Sequence, residues 1–339
     1  MAQDTSSTKT TKALDDYVLL GRSGLRVSPL CLGTLTFGEQ WNLGSNKEES
    51  KKVFDLYYER GGNFFDTASN YNYGESERFL GDYVSDKRSN VVIATKYTSN
   101  TTAMQKDIRL NPNLGGNHRK SLVENLDESL KRLNMSYVDI LYVHAYEFRT
   151  PIEEFMRSLD DAVRSGKVLY VAASNFPSWA LARANTFAEL RGWSSFIGLQ
   201  TRYNLLDRSL EFDLQPACAE LDLELFRGVP SPMVFLPENI QENQTPVQVG
   251  MNWVQQKPGI TSPLIGARTV TQLEENLKSL EFKLTPEQMK RLDEASKPAE
   301  IPFPNSFISN YDRFIRKNIE VPRKFEAIST SCNFGRINL

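Results

Sequence analysis

Residues 61–96, GGNFFDTASNYNYGESERFLGDYVSDKRSNVVIATK, are the stretch that decides the fold. Two short apolar runs, NFFDTA and VVIATK, lie on either side of SERFLGDYV, which has the length and the amphipathic pattern of a helix. The order strand, helix, strand predicts parallel pairing through a right-handed crossover. Since the runs are apolar at successive positions, both strands should be buried on both faces.

The same alternation continues in both directions along the chain. Six further apolar runs occur, at LCLGTLT, VDILYVH, VLYVAAS, FIGLQT, LDLELF and SPLIGA, and amphipathic stretches separate most of them. Eight such units predict an α/β fold, a closed (β/α)8 TIM barrel over residues 17–297. The main alternative is an open doubly wound sheet, but no GxGxxG follows the first strand, as the usual dinucleotide-binding version of that fold requires.

The remaining segments are less regular. Residues 1–16 are polar and rich in Ser and Thr, which predicts a disordered lead-in. Apolar stretches on both sides of residues 21–24 predict an N-terminal β-hairpin, and residues 298–339 are expected to form an irregular C-terminal tail. The segment 225–244 is proline-rich and too short for the loop and helix of a complete seventh unit. Either this unit has been shortened, or its strand runs differently.

Composition excludes several classes of function. The net charge of -2, without a basic run, argues against a nucleic-acid partner, and no apolar run approaches the roughly 18 residues of a membrane span. Three cysteines lie far apart, which fits a reducing, cytoplasmic location. The two histidines show no ligand spacing, so no metal site is expected and a metal-dependent barrel hydrolase is poorly supported. The expected partner is a small molecule, and the oligomeric state stays open.

Polar residues recur where the apolar runs end. They are Asp66, Lys96, His144, Ser174, Asn175 and Gln200. Because the carboxyl ends of barrel strands meet at one rim, these side chains should converge. A lysine directly after VVIAT needs a partner once it is buried, and Asp66 on the neighbouring strand can supply one. The alternative interpretation of Asp66 is a helix cap, and that of His144 is a satisfied core residue. Tyr71 and Tyr73 are both candidates for a position over the pocket.

These groups together suit carbonyl reduction, which needs a hydride donor and a proton donor. Tyrosine is a poor acid at neutral pH, but a nearby lysine cation lowers the pKa of the phenol. The aspartate would keep the lysine charged, and the histidine would orient the substrate oxygen or help to relay the proton. The hydride has to come from a cofactor.

At these residues the chain resembles the aldo-keto reductases, in particular the branch with aryl-alcohol-type reductases and potassium-channel β subunits. The matching motifs include GGNFFDTASNYNYGESERFLG, ATKY, SLKRLNMSYVDILYVHAYE, SGKVLYVAASNF, GLQTRYNLLDRS and SPLIGARTVTQLEENL. The likeness extends from about Tyr17 to Lys297, apart from residues 227–243.

The resemblance implies an NADP(H)-dependent reductase of aldehydes or ketones. Its catalytic tetrad falls on Asp66, Tyr71, Lys96 and His144, with Tyr71 preferred to Tyr73 because the family pattern is DTA, two residues, then Tyr. The cofactor-binding positions implied are Gly33, Thr34, Asp66, Ser174, Asn175, Gln200, Gly266, Ala267, Arg268, Gln272, Glu275 and Asn276. Trp41, Tyr97 and Tyr146 would line the substrate pocket. An arginine at a helix N-terminus favours a 2′-phosphate, and therefore NADP(H) over NAD(H).

Two departures from the family pattern stand out. The family usually has an aromatic residue before SPL after strand seven and then a long loop, whereas this chain has only Pro230-Ser231-Pro232-Met233. The alternative function is therefore a cofactor-binding scaffold or a weakly active homologue. The second departure is HAYE at residues 144–147, where we expect only a changed pocket wall.

Overall fold

The computed structural model describes residues 11–101, 109–228, 244–300, 302, 304 and 305. Within these residues eight parallel strands close into a barrel, which confirms the predicted TIM-barrel fold. The strands, in order around the barrel from β3, are β3 (Cys31–Gly33), β4 (Phe64–Asp66), β5 (Val92–Tyr97), β6 (Val138–Val143), β7 (Val168–Ser174), β8 (Phe196–Arg202), β9 (Glu224–Gly228) and β10 (Leu264–Ile265). The ring closes where Leu264 pairs with Cys31.

A helix follows each barrel strand, as the alternation predicts. The helices are α1 (Lys47–Glu59), α2 (Glu75–Val84), α3 (Arg119–Leu133), α4 (Ile152–Arg164), α5 (Ser178–Arg191), α6 (Leu214–Glu220), α7 (Pro246–Gln255) and α8 (Val270–Leu277), and α9 (Pro286–Ala295) comes after them. The leucines of α3 that recur at spacings of three and four, Leu122, Leu126, Leu130 and Leu133, are all buried. This face therefore packs on the barrel, which is where most of the stability of an amphipathic helix arises.

The buried apolar side chains form two groups, one inside the barrel and one around it. Side chains such as Phe64, Ala94 and Tyr142 fill the interior, while a larger layer lies between the strands and the helices. Because successive side chains of a strand point to opposite faces, Ala94 and Lys96 of β5 point inward and Tyr97 points outward.

The N-terminal hairpin closes the amino end of the barrel. Its strands, β1 (Val18–Leu19) and β2 (Arg26–Val27), pair antiparallel as predicted. Gly21 in the turn has a φ of +56°, and a Cβ there would lie 2.2 Å from the Ile197 carbonyl oxygen, so only glycine fits. Leu20 and Val27 are fully buried and belong to the apolar group inside the barrel.

The predicted disordered lead-in covers residues 1–16, of which the first ten lie outside the described residues. Residues 11–16 are packed rather than free. Leu14 is buried in the layer beneath the helices, and the Lys12 backbone N–H donates to the Leu280 carbonyl oxygen at 2.8 Å. These two contacts attach residues 11–16 to the rest of the molecule.

The seventh unit contains both a strand and a helix. β9 runs parallel to β8 over five residue pairs and also pairs with β10, so the strand does not run differently. The predicted shortening and the departure at Pro230 to Met233 fall on residues 229–243, which lie outside the described residues. Most of the predicted C-terminal tail, residues 301, 303 and 306–339, also lies outside them.

Candidate active site

A buried ion pair occupies the carboxyl ends of β4 and β5. Lys96 and Asp66 are 0% and 1% exposed, and the Lys96 ammonium donates to Asp66 Oδ1. The ammonium also donates to the Thr67 carbonyl oxygen at 2.7 Å, and Gln200 Nε2 donates to Asp66 Oδ2 at 3.0 Å. The lysine is therefore held by the end of β4, Asp66 is held in turn by β8, and the charge of the lysine is compensated where water has no access.

Tyr71 lies over this pair. Lys96 Nζ donates to the Tyr71 hydroxyl at 3.4 Å, and the Tyr71 and His144 rings lie 5.9 Å apart, edge to face. The Trp41 ring contacts Tyr71 from another side, with ring centroids 6.1 Å apart. The structure thus brings the four residues of the predicted tetrad together.

The turn that carries Tyr71 depends on Asn72, a residue that the sequence analysis missed. Asn72 and Tyr73 have φ values of 46° and 53°, in the left-handed region that a non-glycine residue adopts only when its surroundings enforce it. The Asn72 amide donates to the carbonyl oxygens of Leu35 (2.9 Å) and Phe37 (3.2 Å), and it accepts from the Trp41 backbone N–H. The available signal was an asparagine beside the candidate tyrosine, because asparagine tolerates this conformation.

Burial and charge set the protonation states of the four groups. Burial raises the pKa of Asp66 against the effect of Lys96, while Asp66 and Tyr71 together overcome burial and raise the pKa of Lys96. Burial also raises the pKa of Tyr71, although Lys96 acts to lower it, so the phenol keeps its proton at neutral pH. Burial and the Lys96 charge lower the pKa of His144 to about 3, so this imidazole is neutral.

The pKa of Tyr71 is therefore raised and not lowered, in contrast to the expectation from the sequence. Lys96 lowers the pKa of the phenol, as the sequence analysis expects, but the desolvation of Tyr71 is larger. The site holds a protonated phenol beside a fixed cation, which is the form that a proton donor needs.

A cavity of about 710 Å³ lies beside the tetrad. Thirteen of the predicted site residues line it, namely Gly33, Asp66, Tyr71, His144, Ser174, Asn175, Gln200, Gly266, Ala267, Arg268, Gln272, Glu275 and Asn276. They come from both sides of the barrel closure, so the cavity extends from the tetrad to the start of α8.

The end of the cavity at α8 is organised by local hydrogen bonds. Gln272 Oε1 accepts from the Arg268 backbone N–H at 2.9 Å, and Asn276 Nδ2 donates to the Gly266 carbonyl oxygen at 3.1 Å. Thr269 caps α8 by accepting from the Gln272 backbone N–H. The Arg268 side chain itself is exposed.

Comparison with known proteins gives the same family as the sequence motifs. The aldo/keto reductase family model matches residues 29–233 and 238–297. The chain belongs to the aldo/keto reductase family. It is 34% identical over 324 residues to a norsolorinic acid reductase of Aspergillus flavus, covering 86% of this chain and 83% of the relative. It is also 33% identical over 335 residues to an aryl-alcohol dehydrogenase of Pestalotiopsis microspora, covering 86% of each. These relatives support the aryl-alcohol dehydrogenase-like branch and an oxidoreductase activity.

Five predicted residues of this aldo/keto reductase are not on the cavity wall, and the first three of them are buried elsewhere or packed among other side chains. Tyr97 points away from the barrel axis because it follows the inward Lys96, and its hydroxyl donates to the Asn117 carbonyl oxygen. Thr34 is fully buried, with its hydroxyl on the Asp66 carbonyl oxygen and beside Ser76 Oγ. Tyr146 packs among other aromatic rings, those of Phe148, Phe176 and Trp179.

Trp41 and Lys96 sit behind Tyr71 rather than on the cavity wall. Trp41 contacts the rings of Tyr71 and Tyr73, so it supports the tyrosine from one side. Lys96 contacts two residues of the cavity wall, Tyr71 and Asp66, and its charge also lowers the pKa of His144.

Part of the aldo/keto reductase cavity was not foreseen from the sequence. The additional wall comes from β10, from the loop after β3, from the end of β8 and its following loop, and from α7. It consists of Leu35, Thr36, Thr201, Arg202, Asn204, Leu205, Pro246, Val247, Gly250, Met251, Leu264 and Ile265. Arg202 had a usable signal, since it stands two residues after Gln200 and so on the same face of the strand.

The described residues carry neither a membrane span nor a metal-ligand cluster. No helix among them is long and apolar enough to cross a membrane. No group of three or more His, Cys, Asp or Glu in the described part of the chain could hold a metal ion.

Proposed function

We propose that this aldo/keto reductase uses NADP(H) to reduce aldehydes or ketones to alcohols, with Tyr71 as the proton donor. The observation that carries the proposal is the Tyr71 hydroxyl 3.4 Å from the buried Lys96 ammonium, at the wall of a large cavity and beside a neutral His144.

The cavity fits a nicotinamide dinucleotide in size and in chemistry. Its volume of about 710 Å³ lies within the range of ligand sites. Ser174, Asn175 and Gln200 place hydroxyl and amide groups near the tetrad and would hold the nicotinamide carboxamide. The Asn175 amide nitrogen donates to the His144 carbonyl oxygen at 3.1 Å, which fixes the orientation of the amide. When bound, the cofactor supplies the hydride.

The choice of NADP(H) rests on the other end of the cavity. The exposed Arg268 precedes the first turn of α8, whose backbone N–H groups favour an anion. An arginine fork and a helix N-terminus together suit a 2′-phosphate, which NAD(H) lacks.

The chain's own residues then account for the proton. A substrate carbonyl oxygen would accept the hydrogen bond of the Tyr71 hydroxyl as the oxygen gains negative charge. Lys96 would stabilise the phenolate that remains, and Asp66 keeps that lysine charged. Neutral His144 is able to donate a hydrogen bond to the same oxygen and so to orient the substrate.

The substrate class is proposed from the relatives and the location from the cysteines. The names of the relatives, an aryl-alcohol dehydrogenase and norsolorinic acid reductases, favour an aromatic carbonyl or alcohol. We also propose a cytoplasmic location, because the two cysteines that the structure describes, Cys31 and Cys218, are buried free thiols.

Tyr71→Phe tests the proposal. Turnover of an aromatic aldehyde with NADPH should fall at least 100-fold, while the NADPH dissociation constant changes less than about threefold. Full activity in this variant would refute the role of Tyr71. NADPH binding by the native protein without turnover of any aldehyde in a panel would favour the scaffold alternative. Tighter binding and faster turnover with NADH than with NADPH would refute the cofactor assignment.

A further inference from the structure

Arg202 is a cavity residue that has no role in the tetrad or in the proposed 2′-phosphate site. We infer that its guanidinium binds the diphosphate of the dinucleotide cofactor and sets the affinity for NADPH and NADH alike. This inference rests on the proposed function.

The strand places Arg202 on the correct face. Gln200 of β8 points into the barrel, because its amide nitrogen reaches Asp66. Arg202 stands two residues later on the same face and closer to the mouth, and it lines the same cavity. It is thus positioned just outside the groups that would hold the nicotinamide.

The charges around the cavity leave Arg202 and Arg268 as its two cationic wall residues among those described. Of the acidic groups, Asp66 is compensated by Lys96, and Glu275 lies at the α8 end. A phosphorylated dinucleotide carries negative charge at two places, on its central diphosphate and on its 2′-phosphate. β8 and β10 are separated by β9, which puts their axes about 10 Å apart, with Arg202 at the end of β8 and Arg268 in the segment after β10. One arginine is therefore available for each anionic group.

The sequence that follows β9 adds no positive side chain. Residues 229–243 follow Gly228, which is the pairing partner of Arg202, and they contain neither lysine nor arginine. Arg202 of β8, by contrast, lines the cavity and carries a positive charge.

The Arg202 side chain is held in a form that can take a phosphate. Its Nε pairs with Asp207 Oδ2 at 3.1 Å, while its terminal nitrogens have no acceptor among the described residues and the side chain is 68% exposed. Asp207 is itself fixed, because Ser209 donates to it at 2.7 Å. The outer edge of the guanidinium is left to contact two phosphate oxygens in the bidentate geometry that arginine favours.

Arg202→Gln tests the inference by binding alone. Titration of the protein fluorescence with NADPH and with NADH should show both dissociation constants raised by about 10- to 100-fold, with their ratio unchanged. Arg268→Gln should weaken NADPH and leave NADH within about threefold. Arg202→Lys, which keeps the charge but loses the fork, should retain part of the affinity.

Arg183→Gln is the matched control, since Arg183 is an exposed arginine of α5 that is paired with Glu153 and does not line the cavity. It should change neither dissociation constant, and a thermal melt should show that each variant folds. Native affinity in Arg202→Gln, or a loss confined to NADPH, would overturn the inference and leave the proposed function standing. A raised KM for the aldehyde with unchanged cofactor binding would place Arg202 on the substrate instead. A native protein that binds neither dinucleotide would overturn both proposals.

Discussion

Lys96→Met is the substitution whose effect can be worked out most fully from the structure. It removes the ammonium and keeps most of the side-chain volume. Asp66 is 1% exposed in the native protein and accepts a hydrogen bond from Gln200, so the carboxylate would stay buried in the variant. A buried carboxylate without a cation takes up a proton rather than remain charged. Protonating a carboxyl of ordinary pKa costs about 1.4 kcal/mol per pH unit above that pKa, hence about 4 kcal/mol at pH 7 and about 1.5 kcal/mol at pH 5. These values are the largest losses of unfolding free energy that the unpaired Asp66 carboxylate can cause at each pH.

The sign of the pH dependence follows from the same reasoning. In the variant the pKa of Asp66 in the folded state lies above its ordinary value in the unfolded chain. The folded state therefore binds a proton that the unfolded chain does not. The stability of the variant relative to the native protein should therefore rise as the pH falls from 7 to 5. In Asp66→Asn/Lys96→Met neither charge is present, so the loss should be smaller and equal at the two pH values.

Urea unfolding followed by tryptophan fluorescence at pH 7 and pH 5 measures both quantities. The native protein, Lys96→Met and the double variant are compared at each pH. An equal loss of free energy in Lys96→Met at both pH values would contradict a stranded charge on Asp66, and so would a double variant as unstable as the single one at pH 7.

Three further substitutions probe groups around the site. Glu77→Gln breaks a buried pair with Arg132 (2.6 Å) and should cost about 3 kcal/mol of unfolding free energy in urea. In His144→Gln the acid sensitivity of His144 is lost. Its pKa is about 3 when folded and near 6.5 when unfolded, so the native protein should lose about 2 kcal/mol more than the variant between pH 7 and pH 5, as urea midpoints will show. Gly38→Ala puts a Cβ 2.8 Å from the Asn72 Cβ at a φ of +119°, and should lower both stability, by about 1–3 kcal/mol, and turnover.

Matched variants separate these effects from general damage. Glu128→Gln removes the same kind of carboxylate from the exposed pair with Lys131, and should cost less than about 1 kcal/mol. Its loss equalling that of Glu77→Gln would mean that burial is not the cause. Gly166→Ala changes another glycine of positive φ, but nothing lies within 4 Å of its added Cβ, so turnover should be kept. An equal loss of turnover in the two glycine variants would contradict a role for Asn72 in holding the Tyr71 turn.

The sequence predicted most of what depends on periodicity. All eight apolar runs became barrel strands, and the polar residues at their ends met at one rim, because parallel strands in a closed barrel leave no other place for them. The Lys96–Asp66 contact was predictable for the same reason, since a buried cation needs a partner and the adjacent strand end offered a carboxylate.

What the sequence could not give is the direction of a side chain near the end of a strand and the detail of the loops. Tyr97 was assigned to the pocket, but the strict alternation along β5 sends it to the opposite side from Lys96. The left-handed turn at Asn72 depends on carbonyl groups from a loop more than thirty residues earlier in the chain, and no local pattern records that contact. Leu14 likewise was anchored by distant residues.

The hairpin beneath the barrel determines the route by which small molecules enter and leave the cavity. Leu20 and Val27 fill the amino end with tightly packed hydrocarbon, so a reactant has no route through that floor. Arrival and departure must share the opposite opening. Under the proposed chemistry, whichever of the two reactants rests deeper has to enter first and leave last, and steady-state kinetics should be sequential and ordered.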